Sequence, residues 1–183
     1  MTTKMIVNID WDKIIACLPE DCDRMRGDNV LGREPDELGD EEKFHQREIE
    51  KELIAGKYHA GGVGWDNWYP RHFEDESFIA EFDRQVNCTA ANVQISRVSP
   101  GMTVPKHWDV CFFNSMKPFN IDRYICFISE PEFGHVLVVK DKSFYNQPRN
   151  TLIKWDHYLD VHGAANFGAK PYYLFNYLGV VNE

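Results

Sequence analysis

The feature that most constrains this chain is a change of pattern near residue 87. After it, short runs rich in β-branched and aromatic residues recur at close spacing, each closed by turn-forming residues. The runs lie at 93–98, 104–107, 123–129, 135–140, 151–155 and 172–178. The breakers between them are Ser99-Pro100-Gly101, Pro118, Pro131, residues 146–150 and residues 163–171. Pro and Gly interrupt a ladder, and alternating apolar side chains suit a sheet with one buried face. Strands this short and this numerous predict a closed sandwich or barrel, so the expected fold is mainly β: a double-stranded β-helix of jelly-roll or cupin-like type.

Before residue 87 the pattern is helical and polar. Residues 4–9 suit a short strand. Trp11, Ile14, Ile15 and Leu18 fall on one helical face that Pro19 closes. Residues 22–35 read as loop, 36–55 as a charged helix ending before Gly56, and 60–73 as a loop rich in Gly and aromatics. Phe78, Ile79, Phe82 and Val86 mark an amphipathic helix starting near Asp75. The expectation is one domain over residues 1–183, with a mostly helical flanking region at 1–86 and a jelly-roll core at 87–183. A chain of 183 residues can bury such a core without disulfides.

Composition narrows the partners. The formal charge is -9, so a phosphate backbone is repelled on average and nucleic acid is not an expected partner. The five cysteines form no CxxC pair, a usage that fits reduced thiols in a soluble, cytoplasmic protein. No apolar run has the length of a membrane span or the form of a signal peptide.

The chemistry-bearing motif is His107-Trp108-Asp109. Residues i and i+2 of a strand project to one face, so an imidazole and a carboxylate can share an ion. His-x-Asp alone occurs often by chance on protein surfaces. Its setting gives it weight: it follows the turn and short strand of Ser99-Pro100-Gly101-Met102-Thr103-Val104-Pro105. A second histidine, His162, arrives 55 residues later, ahead of Gly163 and Asn166. His157 competes for the third position; Gly163, which lets backbone approach closely, favours His162. His135 reads instead as a sheet or hydrogen-bonding residue. Two imidazoles and one carboxylate leave adjacent positions open on a non-haem Fe(II) ion, as oxygenases require.

Three stretches, ISRVSPGMTVPKHWD, RYICF and NTLIKWDHYLDVHGAANFGAKPYYLF, resemble the 2-oxoglutarate/Fe(II)-dependent dioxygenase superfamily, and within it the aspartyl/asparaginyl β-hydroxylase-like branch. The resemblance covers roughly residues 93–179. It implies His107, Asp109 and His162 as catalytic metal ligands, and Fe(II) with 2-oxoglutarate as cofactor and cosubstrate. It also implies Ser96 and Arg123 as contacts to that cosubstrate, a role for which a forked guanidinium is suited. The family carries Arg or Lys about ten residues after the distal histidine, where this chain has Tyr172. Either Lys170 replaces that cation, or Tyr172 contributes a hydroxyl while Arg123, Lys154 or another cation supplies the charge.

The implied activity is O2-dependent hydroxylation of a C–H bond in a peptidyl or small-molecule substrate. Trp65, Asp66, Trp68, Tyr69 and Arg71 are candidates for a lid or for a cap on the barrel. Trp108, Phe112, Trp155 and Phe167 suit a pocket wall or the core equally. The alternatives are a non-oxidative metal-binding cupin and a non-catalytic binding module of the same fold.

Overall fold

The computed structural model describes residues 3–27, 56–107, 120–155 and 161–182. From Cys88 onward the chain crosses back and forth between two antiparallel sheets. The strands are β4 (Cys88–Val98), β5 (Thr103–His107), β6 (Ile121–Phe127), β7 (His135–Val139), β8 (Lys142–Tyr145), β9 (Thr151–Trp155), β10 (His162–Asn166) and β11 (Tyr172–Val181). β4, β6, β9 and β11 lie in the large sheet, whereas β5, β7, β8 and β10 form the small one in the order β5-β10-β7-β8. This alternation is the double-stranded β-helix, as the strand spacing predicts.

The first part of the chain supplies more strand than its pattern suggests. β1 (Thr3–Ile6) pairs with β9, and β3 (Gly64–Trp68) pairs with β4 and with the edge strand β2 (Asp23–Arg26). The large sheet thus runs β1-β9-β6-β11-β4-β3-β2. The expected loops at 22–35 and 60–73 therefore each contain a strand. β3 escapes the pattern because Asp66 and Asn67 occupy buried positions between its two tryptophans. Asp66 is 1% exposed and accepts hydrogen bonds from Arg26 Nη2 at 2.6 Å and from Arg97 Nη2 at 2.7 Å. A buried carboxylate needs partners of this kind to offset its desolvation. The helix expected over residues 36–55 lies outside the described residues.

Among the described residues two α-helices flank the barrel where the pattern expects them: α1 (Trp11–Ala16) and α2 (Ser77–Val86). α2 buries Phe78, Ile79, Phe82 and Val86 and ends at Asn87, whose φ of 55° is the left-handed conformation Asn tolerates best after Gly. Phe82 meets Phe175 of β11 edge-on at 4.9 Å between ring centres, on the outer face of the large sheet. Each such buried side chain contributes about 1.5–3 kcal/mol of transfer free energy.

The inner face carries a second core. Val98, Ile125, Phe127, Ile153, Tyr172 and Leu174 of the large sheet meet Leu137, Val139, Phe144 and Ala164 of the small one. By the two-residue period of a strand, Gln94, Ser96, Arg123 and Asn176 also face inward. No helix of the described residues is long and apolar enough to cross a membrane.

Candidate metal centre

β5 and β10 are neighbours in the small sheet, and their register sets His107 opposite His162. His162 shares the strand face of Ala164, so its ring is directed into the barrel. Gly163 makes the approach possible. A Cβ there would lie 2.9 Å from Val104 O and 3.1 Å from Lys106 N, both backbone atoms of β5. The register shifts there: three steps of β5, Val104 to His107, lie opposite two of β10, Ala164 to His162.

The two imidazoles have ring centres 4.4 Å apart and an interplanar angle of 52°, too steep for stacking. This spacing tests the fit of a metal. Two imidazoles at right angles on one ion, with metal–nitrogen bonds of about 2.1 Å, have centres about 4.6 Å apart; a tetrahedral angle spreads them to about 5.3 Å. The observed 4.4 Å spacing is thus of the order at which two imidazoles share one ion.

The tautomer agrees. His107 Nδ1 lies 2.8 Å from Pro105 O, and a carbonyl can only accept, so Nδ1 carries the proton. That leaves the lone pair on Nε2, and a backbone carbonyl holding the far ring nitrogen is how metal-bound histidines are oriented. Pro105 is tolerated here because β5 is an edge strand. Asp109 and the competing His157 lie outside the described residues. Among the described residues no group of three or more metal-binding side chains is assembled, so the described part of the centre is the histidine pair.

The cosubstrate candidates are scattered. Ser96 is buried and its hydroxyl is fully engaged: it donates to Asn67 Oδ1 at 2.8 Å and accepts from Asn176 Nδ2 at 2.9 Å and Gln94 Nε2 at 3.4 Å. Arg123 faces inward, two residues beyond Ile125 and in register with Leu178 and Trp155. Lys154 faces outward, paired with Asp122 at 2.6 Å. The side chain of Lys170 is exposed. What Lys170 contributes inside is its carbonyl, which accepts from His135 Nε2 at 3.1 Å and Asn166 Nδ2 at 2.8 Å. His135 is thus the hydrogen-bonding residue expected of it.

Tyr172 occupies the inner face at 2% exposure, its ring stacked on His135 at 4.4 Å and 19°. Its hydroxyl has no hydrogen-bond partner among the described residues. Burial pushes the phenol's pKa well above its ordinary value, so it remains a neutral donor. An orphaned donor inside the barrel matches an oxygen-rich ligand. Arg123, also inward, stands opposite Leu178, six residues along β11 from Tyr172.

The aromatic segment after Gly64 is not a lid. Trp65 belongs to the inner core and Trp68 to the outer one, where its Nε1 donates to Pro19 O at 2.9 Å. Arg71 is paired with Asp23 instead of turning toward the barrel. Phe167 is 73% exposed, so it is not part of the core. Trp108 and Phe112 lie outside the described residues. Pattern reading missed Asn67, Gln94 and Asn176, because isolated carboxamides in strand runs carry no spacing signal.

No family model matches the sequence, and no curated protein matches it. Solved structures do. A Pseudomonas putida prolyl-4-hydroxylase is similar over 93% of this chain and 98% of its own, at 10% identity and a TM-score of 0.49. The viral collagen prolyl hydroxylase of Paramecium Bursaria Chlorella virus-1, in complex with 2-oxoglutarate, is similar over 91% and 99%, at 13% identity and 0.47. A predicted oxalate decarboxylase from Thermotoga maritima is similar over 64% and 82%, at 8% identity and 0.40. Likenesses of this degree leave the chemistry to be argued from the site itself.

Proposed function

We propose that this chain is an Fe(II)- and 2-oxoglutarate-dependent dioxygenase that hydroxylates a C–H bond of a peptidyl or small-molecule substrate. The observation that carries the reading is the His107–His162 pair, with ring centres 4.4 Å apart and the Pro105 carbonyl fixing the His107 tautomer. Asp109, two residues beyond His107, completes the ligand set. When bound, the ion with 2-oxoglutarate and O2 supplies the oxidising power, and cosubstrate carbon leaves as succinate and CO2 while the substrate gains a hydroxyl.

The chain's own part is to hold and orient. β10 presents His162 from within the barrel, and β5 presents His107 from its edge. The Tyr172 hydroxyl donates to a cosubstrate carboxylate, while Arg123, opposite Leu178 and six residues along β11 from Tyr172, supplies positive charge at a separate level of the barrel. Ser96 acts at one remove by bracing Asn67, Gln94 and Asn176. Cys17, Cys22, Cys88 and Cys126 are free thiols, which supports a reducing, cytoplasmic setting.

The test is anaerobic addition of Fe(II) and 2-oxoglutarate to the full chain, followed by admission of O2. A weak visible charge-transfer band that His107→Ala and His162→Ala each abolish, and Fe(II)-dependent succinate on aeration, are the expected results. Tight metal binding with neither band nor succinate would instead establish a non-oxidative cupin.

A further inference from the structure

Gln94 and Asn176 are direct neighbours across the β4–β11 ladder, both facing the barrel interior and both half-buried. Ser96 Oγ holds each from behind, accepting one N–H from Asn176 and one from Gln94. Its own proton goes to Asn67, so the hydroxyl is saturated and fixes the orientation of both amides. Each carboxamide keeps one carbonyl oxygen and one N–H outside this network.

The pair stands at the level of the histidines. Asn166 Nδ2 donates to Val98 O at 2.8 Å, which ties the far end of β10 to the far end of β4. The two strands run in the same direction in facing sheets. Four residues back from that tie bring one strand to His162 and the other to Gln94, an equal rise of about 13 Å on each. On the same sheet level are Ile125 and Ile153, and Arg123 is the next inward residue along β6.

Resting on the reading of His107 and His162 as a metal centre, we propose that Gln94 and Asn176 recognise an uncharged amide group of the substrate. A carboxylate would use only the N–H groups and set its charge against two carbonyl oxygens; an ammonium would do the reverse. A peptide group or a side-chain carboxamide satisfies donor and acceptor together, as a fixed amide pair does for a ligand that offers both. Gln94 and Asn176 are thus specificity-determining residues that select an amide-bearing substrate.

The test follows the side-chain amide signals of Gln94 and Asn176 by NMR in the full chain, assigned by their loss in Gln94→Met and Asn176→Leu. The probes are N-acetyl-alanyl-alanine methylamide, propionamide and acetate. Saturable shifts with either amide and none with acetate are expected. The stronger of the two amides tells a polypeptide backbone from a primary carboxamide. Each substitution is expected to weaken amide binding about tenfold, the loss typical of one paired hydrogen bond. Asn176→Asp, isosteric but without the N–H donors, is expected to weaken it likewise. Equal or larger shifts with acetate, or no saturable shift with either amide, overturn the proposal. Broadening of the His107 and His162 ring signals by Mn(II) is read in the same samples. Its failure would sink the metal centre, whereas intact broadening without amide binding sinks this inference alone.

Discussion

Replacing Tyr172 with Phe is expected to move stability and cosubstrate affinity in opposite directions. The hydroxyl is buried without a partner among the described residues, at 2% residue exposure, between His135 and Phe127. An unsatisfied buried hydroxyl costs about 1–3 kcal/mol relative to water, a penalty that Phe removes. The ring and its stacking remain, and only one oxygen's volume is lost, so the ligand-free variant gains about 1 kcal/mol. For a chain of this size that raises Tm by roughly 2–4 °C. With 2-oxoglutarate present, the same change deletes a hydrogen bond to a charged group, worth about 1.5–3 kcal/mol. Affinity then falls roughly 10- to 100-fold. Calorimetric melting of the ligand-free protein reads the first effect, and anaerobic titration of the charge-transfer band reads the second. A ligand-free Tyr172→Phe protein that melts several degrees lower would show that the hydroxyl is already satisfied. A stabilised variant with unchanged affinity would remove Tyr172 from the cosubstrate site.

Two further substitutions test the frame around the site. Gly163→Ala would place a methyl 2.9 Å from Val104 O, and because backbone must yield, urea unfolding is expected to show a loss of about 1–3 kcal/mol. Metal affinity should fall with it, since β5 carries His107; unchanged affinity would mean that the strand spacing does not set the ligand geometry. Glu132 accepts from the Ala169 and Lys170 N–H groups, both at 2.9 Å, and chiefly the Ala169 bond holds its pKa below 4.5. Its contribution is therefore full above the unfolded value and lost as pH falls through the lower folded one. Glu132→Gln should flatten the acid limb of a Tm-against-pH curve, while an unaltered limb would show that other carboxylates dominate it.

Legibility from sequence followed the kind of signal each element carries. β4, β6, β7, β9 and β11 announce themselves through β-branched and aromatic side chains such as Val93, Ile95, Ile125, Val139 and Phe175. β10 reads His-Gly-Ala-Ala-Asn and has no such side chain, since its small residues serve the close passage of β5. β8 follows β7 directly through Lys140, at a φ of 57°, a tight turn that lacks the expected Gly. The histidine pair was legible because its residue types are rare and its flanks are Pro- and Gly-marked. The carboxamides of Asn67, Gln94 and Asn176 were not, because only strand register brings them to one hydroxyl. Where a cation was expected, the sequence shows Tyr172; strand register sets Arg123 on the inward side of β6 opposite Leu178, six residues along β11 from that tyrosine.

Among the described residues β5 is the outermost strand of the small sheet, bridged from Thr103 to Val63, with Lys106 N donating to the Tyr58 hydroxyl at 3.2 Å. Edge strands open by local fraying at a fraction of the global unfolding free energy. His107 thus rides on an edge strand, while His162 is anchored between β5 and β7. An ion shared by the two would act as a clasp across that seam, slowing amide hydrogen exchange along Thr103–His107 more than anywhere in the large sheet. The rate at which the clasp is released would then be set by the fraying of one short strand, so metal exchange in this barrel is a question of strand mechanics as much as of coordination chemistry.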